Sequence, residues 1–376
     1  MADKDCARRD KGSRARCRKL VRTFDDRNAI VTANDTEQRE PAARPATAPA
    51  GITPLLRRML HTESNSVLLA TIALVILIGV LHPDFLSAGQ IRDVLQSSVY
   101  VGLLAAGMAF LLAMREIDLS VGAGFALSLI TAAVLMRSGV NPWLAAGAAI
   151  VFGALLGLVN ALVVQVIAIP AIVATLATMQ VYRGLAAAWS NGQQVNGLPL
   201  QNSFFTVVGG DRLGLPVSVW VLLVVTAALT VILRLTPFGY RVRSIGSNPE
   251  AATFSGISTG RTRLLVLMGV GALCGLAGVL GLAFFTSGDP NVGTGYELQA
   301  IAAAVIGGTP LRGGSATVVG AVAGAVLLSV VSSGLVYFDI PVNWSAFASG
   351  VVVLIAVAID SLLRSRRRAK RSEFGL

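Results

Sequence analysis

An all-α, polytopic membrane protein is the fold class this sequence predicts, on three observations. Of 376 residues, 54% are hydrophobic and only 14% charged, with a mean hydropathy of +0.70. A soluble domain needs far more charge to cover its surface. Uncharged apolar runs of about 18 residues or more recur along most of the chain, the length at which a helix crosses a bilayer. The charges that remain are segregated: all four lysines (Lys4, Lys11, Lys19, Lys370) lie in the two tails, and arginines crowd those tails and one internal loop.

That segregation gives the net charge of +11 its meaning. Basic clusters beside spans set orientation through the positive-inside rule, so the charge reads as topology and not as nucleic-acid binding. About ten spans are predicted: 66–81, 94–114, 120–137, 142–166, 171–189, 217–235, 264–286, 297–309, 316–337 and 344–363. The eighth is short enough to be partly re-entrant. With the N-terminus inside, six spans return the chain to the inside at Thr236, and four more place "RSRRRAKR" (364–371) there too. Both termini are therefore expected in the cytoplasm. The predicted outer loops, around 82–93, 190–216, 287–296 and 338–343, hold Asp84, Asp93, Asp211, Asp289 and Asp339 against Arg92 and Arg212. Arg137, at the outer end of the third span, is the exception.

Residues 1–65 are charged and Pro/Ala-rich ("EPAARPATAPAG") and show no apolar periodicity, which predicts a disordered basic tail. The first apolar run begins at Val67, too late for a signal peptide, and Met59 just before it is a natural alternative start. Residues 66–363 make the membrane domain, with 236–263 as its cytoplasmic loop, and 364–376 form a second basic cytoplasmic tail. Span two, the break "REIDLSVGAG" and span three echo span eight, the break "GGTPLRGGSA" and span nine. This echo predicts an inverted-repeat-like bundle. "GALLG" (153–157), "GALCG" (271–275) and "GAVAG" (320–324) are small-xxx-small motifs, read as plain helix packing.

No catalytic constellation is present. No lysine lies between 20 and 369 to complete a phosphate-binding loop, and the histidines are His61 and His82 alone. Cys6 and Cys17 sit in the tail and Cys274 in a span, with no metal-ligand spacing. No enzyme activity, cofactor or metal is expected. The ionisable residues near membrane depth are Arg115, Glu116, Asp118, Arg183 and Glu297. Glu116 and Asp118 suit the start of span three, and "TGYE" (294–297) reads as a capping box for span eight. Arg183 lies mid-span, where it is either ion-paired or on a solute path.

The stretch "TPFGYRVRSIGSNPEAATFSGISTGRTR" (236–263) interrupts this apolar chain with four arginines and one glutamate. Asn248 is a good N-cap, Pro249 fits the first helical position, and Glu250 meets the positive helix end. Ala251 and Ala252 extend the helix, and Gly256 ends it in a left-handed turn. Nothing in a membrane requires such a helix, so it reads as a docking element for a cytoplasmic partner; a charged connector is the alternative.

"EAATFSG" (250–256) fits the opening of the cytoplasmic loop of ATP-binding-cassette importer permeases, in which E-A-A is followed by Gly. "REIDLSVGAG", "IPAIVATLATMQVYRGLA", "TPFGYRVRSIGSNPEAATFSGI" and "GTGYELQAIAAAVIGGTPLRGGSATVVGAVAGA" resemble, in that order, segments of the ribose/xylose-type sugar permeases over about residues 66–363. Arg115-Glu116 stands where most relatives have Gly-Gly or Ser-Gly, and resembles the rhamnose and autoinducer-type branch. The resemblance implies a permease of the bacterial cytoplasmic membrane that dimerises with itself or a sister permease. A cytoplasmic ATPase would dock on Asn248, Pro249, Glu250, Ala251, Ala252 and Gly256. An extracytoplasmic sugar-binding protein would deliver solute to the outer loops, with Asp289 and Asn291 as candidate contacts. A sugar needs hydrogen-bonding groups along an apolar path, and Asn160, Gln180 and Arg183 are the candidates inside spans. The rival class is an ion-coupled secondary transporter, although acidic groups deep in several spans are sparse.

Overall fold

The computed structural model describes residues 63–339 and the isolated positions 344, 347, 350, 351 and 354. Within them the order is α1 (Glu63–Leu81), a 3-10 turn (Pro83–Leu86), α2 (Ala88–Ala113), α3 (Val121–Arg137), α4 (Pro142–Val166), α5 (Ala171–Ser190) and α6 (Ser203–Val208). A two-stranded antiparallel hairpin follows, β1 (Asp211–Arg212) with β2 (Leu215–Pro216). Then come α7 (Val217–Leu235), α8 (Pro237–Ser247), α9 (Pro249–Phe254), α10 (Thr259–Phe285), α11 (Tyr296–Ile306) and α12 (Val318–Tyr337). Six helices (α2, α4, α5, α7, α10, α12) are long and apolar enough to cross a membrane, and α1, α3 and α11 contain shorter apolar stretches. The first nine predicted spans each meet one of these nine helices. Nearly all of the tenth (344–363), Met59 and the two tails apart from the start of α1 lie outside the described residues.

The helices alternate between two ends of the bundle. At one end, Gln165 in α4 donates to the Gly260 carbonyl of α10, Arg115 after α2 reaches Ser247 of α8, and the Gly314 N–H donates to Ala113 O. At the other, Arg92 pairs with Asp211, Tyr337 donates to Gln90, and Gln194 donates to Ser287. The predicted outer loops 82–93 and 190–216, with the start of 287–296, thus gather at one end and the arginine-rich loop at the opposite one.

Small residues fix the packing. In lipid there is little hydrophobic drive between apolar helices, so association relies on close backbone contact. The "GALLG" and "GALCG" motifs face each other across the α4–α10 crossing: a Cβ on Gly153 would stand 2.8 Å from Gly275 N, and one on Gly271 2.8 Å from Gly157 N. The "GAVAG" glycine Gly324 packs in the same way on Ala303 of α11. α2, buried on almost all sides from Val94 onward, is the central helix, packed against α7, α10, α11 and α12. Leu144, Val151, Leu176, Val181, Leu185 and Val224 remain exposed on α4, α5 and α7.

One expectation is corrected. The breaks after α2 and after α11 meet at the same end, through the Gly314–Ala113 hydrogen bond of 2.9 Å, so these two units run in the same sense and are not inverted. α10–break–α11 runs in the opposite sense to α2–break–α3. Its break (286–295) comes back from the opposite end along α3: the Cα of Gly288 faces Ala133 and Ile130, and that of Gly293 faces Phe125. Phe125 is about 18 Å along α3 from its Arg137 end. Spans two and eight are both even-numbered in the predicted order, so the span count itself puts their breaks at one end and does not support an inverted relation between them.

Candidate functional site

The arginine-rich loop folds into two helices, not one. α8 buries Gly239, Val242, Ile245 and Gly246 on one face, a helical spacing present in the sequence, and Thr236 accepts from Gly239 N at its start. α9 follows as expected. Asn248 is its N-cap and accepts from Ala251 N at 3.0 Å, Pro249 opens it, and Glu250 is exposed in its first turn. Ala251 is exposed while Ala252 is buried against the bundle. Gly256 has φ +81°, and the Ile257 N–H closes back onto Ala252 O at 3.0 Å, so the helix ends in the left-handed turn that glycine favours. Phe254 stands 91% exposed at the tip. Between α8 and α9 lies an open cavity of about 610 Å³, lined by Tyr240, Arg243, Ser247, Asn248, Ala251 and Gly314 among others.

Two residues of the first break reach this loop. Arg115 Nη2 donates to the Ser247 carbonyl at 2.8 Å, and Glu116 forms an ion pair with Arg263 near the start of α10. Burial holds the Glu116 carboxyl above its ordinary range, an effect that the adjacent Arg263 offsets only in part. Sequence reasoning placed Glu116 as a charge for the start of α3; its partner across the bundle carried no signal in the sequence.

Asp118 does serve the start of α3, and more besides. Its Oδ1 accepts from Ser120 N (2.8 Å) and Ser120 Oγ (2.6 Å). Asn160 donates to Asp118 Oδ2 at 3.2 Å and to Ser120 Oγ at 2.7 Å, and its Oδ1 accepts from Tyr182 OH at 2.9 Å. Asp118, Ser120 and Asn160 are each 3% exposed or less. This network joins α3, α4 and α5 around a void of only about 10 Å³. Asn160 is therefore held in a closed, buried network in this conformation. Ser120 and Tyr182 were missed because a serine after an aspartate and a lone tyrosine in a span have many uses.

The second break places the other candidates. Arg183 Nη1 donates to Val292 O at 2.8 Å and to Pro290 O at 3.4 Å, so α5 holds the re-entrant segment by its carbonyls. Gln180, about one turn further along α5, is exposed. Asp289 and Asn291 are also exposed; Asp289 Oδ1 accepts from Asn291 N at 2.8 Å, and Asn291 O accepts from Thr294 Oγ1. They sit where the segment leaves the outer loops and begins to descend beside α3. The capping box is half made: Glu297 Oε1 accepts from Gly295 N at 3.2 Å, while Thr294 turns to Asn291. Irregular backbone at such depth survives only when buried in protein or lining a water-filled path. Among the described residues, no group of three His, Cys, Asp or Glu is placed to hold a metal ion.

A family model described as branched-chain amino acid transport system / permease component matches residues 90–357, which take in α2 through α12 and both breaks. The chain belongs to that permease family. This permease is a multi-pass membrane protein and a transport component. It is 34% identical over 296 residues to the ribose import permease protein of Escherichia coli K12, covering 78% of the permease and 92% of that relative. It is 33% identical to the L-arabinose ABC transporter permease protein of Azospirillum brasilense, covering 88% and 95%. It is 32% identical to the autoinducer 2 import system permease protein of Salmonella typhi, covering 85% and 93%. No solved structure gives a significant match.

Proposed function

We propose that this permease is the membrane-spanning subunit of an ATP-binding-cassette importer that carries a monosaccharide into the cytoplasm. The observation that carries the reading is α9. A helix of six residues has no stability of its own, yet here it is capped at both ends and holds Phe254 out in solvent. Such a feature suits a partner that grips it, and a cytoplasmic ATPase docked on Asn248–Ala252 and Gly256 fits. The α8/α9 end then faces the cytoplasm of a bacterial cell, in accord with the positive-inside rule. An extracytoplasmic sugar-binding protein meets the opposite end.

The solute path in this reading runs along the exposed face of α5, closed by a second permease copy or a sister permease. Gln180, Asp289 and Asn291 supply hydroxyl-binding groups there, and Arg183 positions the segment that bears the last two. Exposed polar groups at this depth do not face lipid. The solute class rests on the relatives named for ribose, L-arabinose and autoinducer 2. Arg115-Glu116, which would favour a rhamnose or autoinducer-type solute, contacts the coupling loop and not this path.

The test is transport in proteoliposomes containing the permease, its co-purified ATPase and its binding protein, with D-ribose, L-arabinose and L-rhamnose as probes. Accumulation that requires ATP hydrolysis supports the reading. Uptake without ATP, collapsed by a protonophore, marks a secondary transporter and overturns it.

A further inference from the structure

Three backbone segments converge where the coupling loop meets the bundle. Gly246 of α8 lies against the Ala113 carbonyl so closely that no Cβ fits between them. Gly313, in the turn between α11 and α12, has φ +74°, and a Cβ there would stand 3.0 Å from both the Ala113 and Gly246 carbonyls. Gly314 N–H donates to Ala113 O. The ends of α2, α8 and the α11–α12 turn are thus in close backbone contact, and the Arg115 and Ser247 side chains pack on Gly313 and Gly314.

Arg115 and Glu116 fasten this junction on both sides of α9. Arg115 binds the carbonyl of Ser247, the residue immediately before the α9 N-cap, and Glu116 binds Arg263 beyond its far end. Arg115 holds φ +64°, a left-handed backbone that glycine would occupy without strain, so its side chain is retained at a conformational cost. Glu116 Oε1 pairs with Arg263 while Oε2 has no hydrogen-bond partner among the described residues, which leaves Arg263 as the group that balances the buried charge.

We propose that Arg115 and Glu116 are positioning residues that transmit movement of α9 to the break 114–120, and through it to the network of Asp118, Ser120 and Asn160. The clamp rests on the importer reading, since it presupposes a partner that moves α9. Docking surface and transmission are separate here: neither residue belongs to α9, yet both tie its flanks to the helix break beside the solute path.

The experiment uses the full permease co-purified with its ATPase. Amide hydrogen exchange is compared between the nucleotide-free and vanadate-trapped states. In the wild type, exchange changes in 249–254 and also in 114–120. Arg115→Gly suits the left-handed backbone and should fold; it is expected to keep the ATPase bound and the change in 249–254, but to lose the change in 114–120. Loss of one charge-assisted hydrogen bond also sets the expected fall in ATP-driven uptake at about tenfold, with Arg115→Lys restoring part of it. Glu116→Arg should fail alone and recover when combined with Arg263→Glu. Propagation to 114–120 that survives in Arg115→Gly, or is absent in the wild type, overturns the clamp. Loss of the ATPase from Arg115→Gly also overturns it, by making the role one of docking. If no ATPase co-purifies with the wild type, the importer reading itself falls, and the clamp with it.

Discussion

Arg183 of α5 donates to the carbonyl of Val292 across 2.8 Å, and this bond stitches a membrane helix to a stretch of non-helical backbone. Arg183 lies about 10 Å inside the Ser190 end of α5, a depth at which bare carbonyls are costly unless a donor meets them.

Arg183→Ala removes that donor. The expected outcome is a loss of about 1.5–3 kcal/mol from the segment's local stability and impaired uptake, with binding-protein affinity for the solute unchanged. Uptake assays beside equilibrium binding to the isolated binding protein check this. Normal uptake at normal expression would leave Arg183 without a part in transport.

Asn160 makes the contrasting prediction. Because its amide is consumed by Asp118, Ser120 and Tyr182, Asn160→Ala should act through stability. Orphaning those buried partners costs about 1–3 kcal/mol, read as a lower melting temperature in detergent. If the protein melts as the wild type does yet loses transport, Asn160 lies on the path after all.

Gly256→Val tests the end of α9. A Cβ at Gly256 meets open space within the chain, so the cost arises from φ +81° alone, about 1–3 kcal/mol for a left-handed non-glycine residue. Glu250→Lys opposes the positive end of the same helix. Neither change touches a membrane helix, so both variants should insert normally, lose uptake and retain less ATPase on co-purification. Full transport by both would reduce α9 to a connector.

Orientation has its own test. A reporter fused after Arg263 should read cytoplasmic, and one near Gly209, at the end where Arg92 meets Asp211, should read external. An external signal at Arg263 contradicts the even-span arrangement.

Residue chemistry read locally was enough for much of this protein. Apolar run length fixed nine helices, because a bilayer admits few other ways to satisfy a backbone. Asn248, Pro249 and Gly256 placed α9 because caps act within a single turn. The small-xxx-small motifs marked close packing because only small side chains let backbones touch. What required the tertiary structure was every relation between distant segments. The course of the break 286–295 depends on what it packs against. That Asp289 and Asn291 open a re-entrant segment became visible for that reason. Asn160 carried no sign of Asp118, Ser120 and Tyr182, which meet it from other segments. Arg115 and Glu116 carried no sign of Ser247 and Arg263, each more than 130 residues away in sequence. Partner choice across such separations is set by helix packing, which no local pattern encodes.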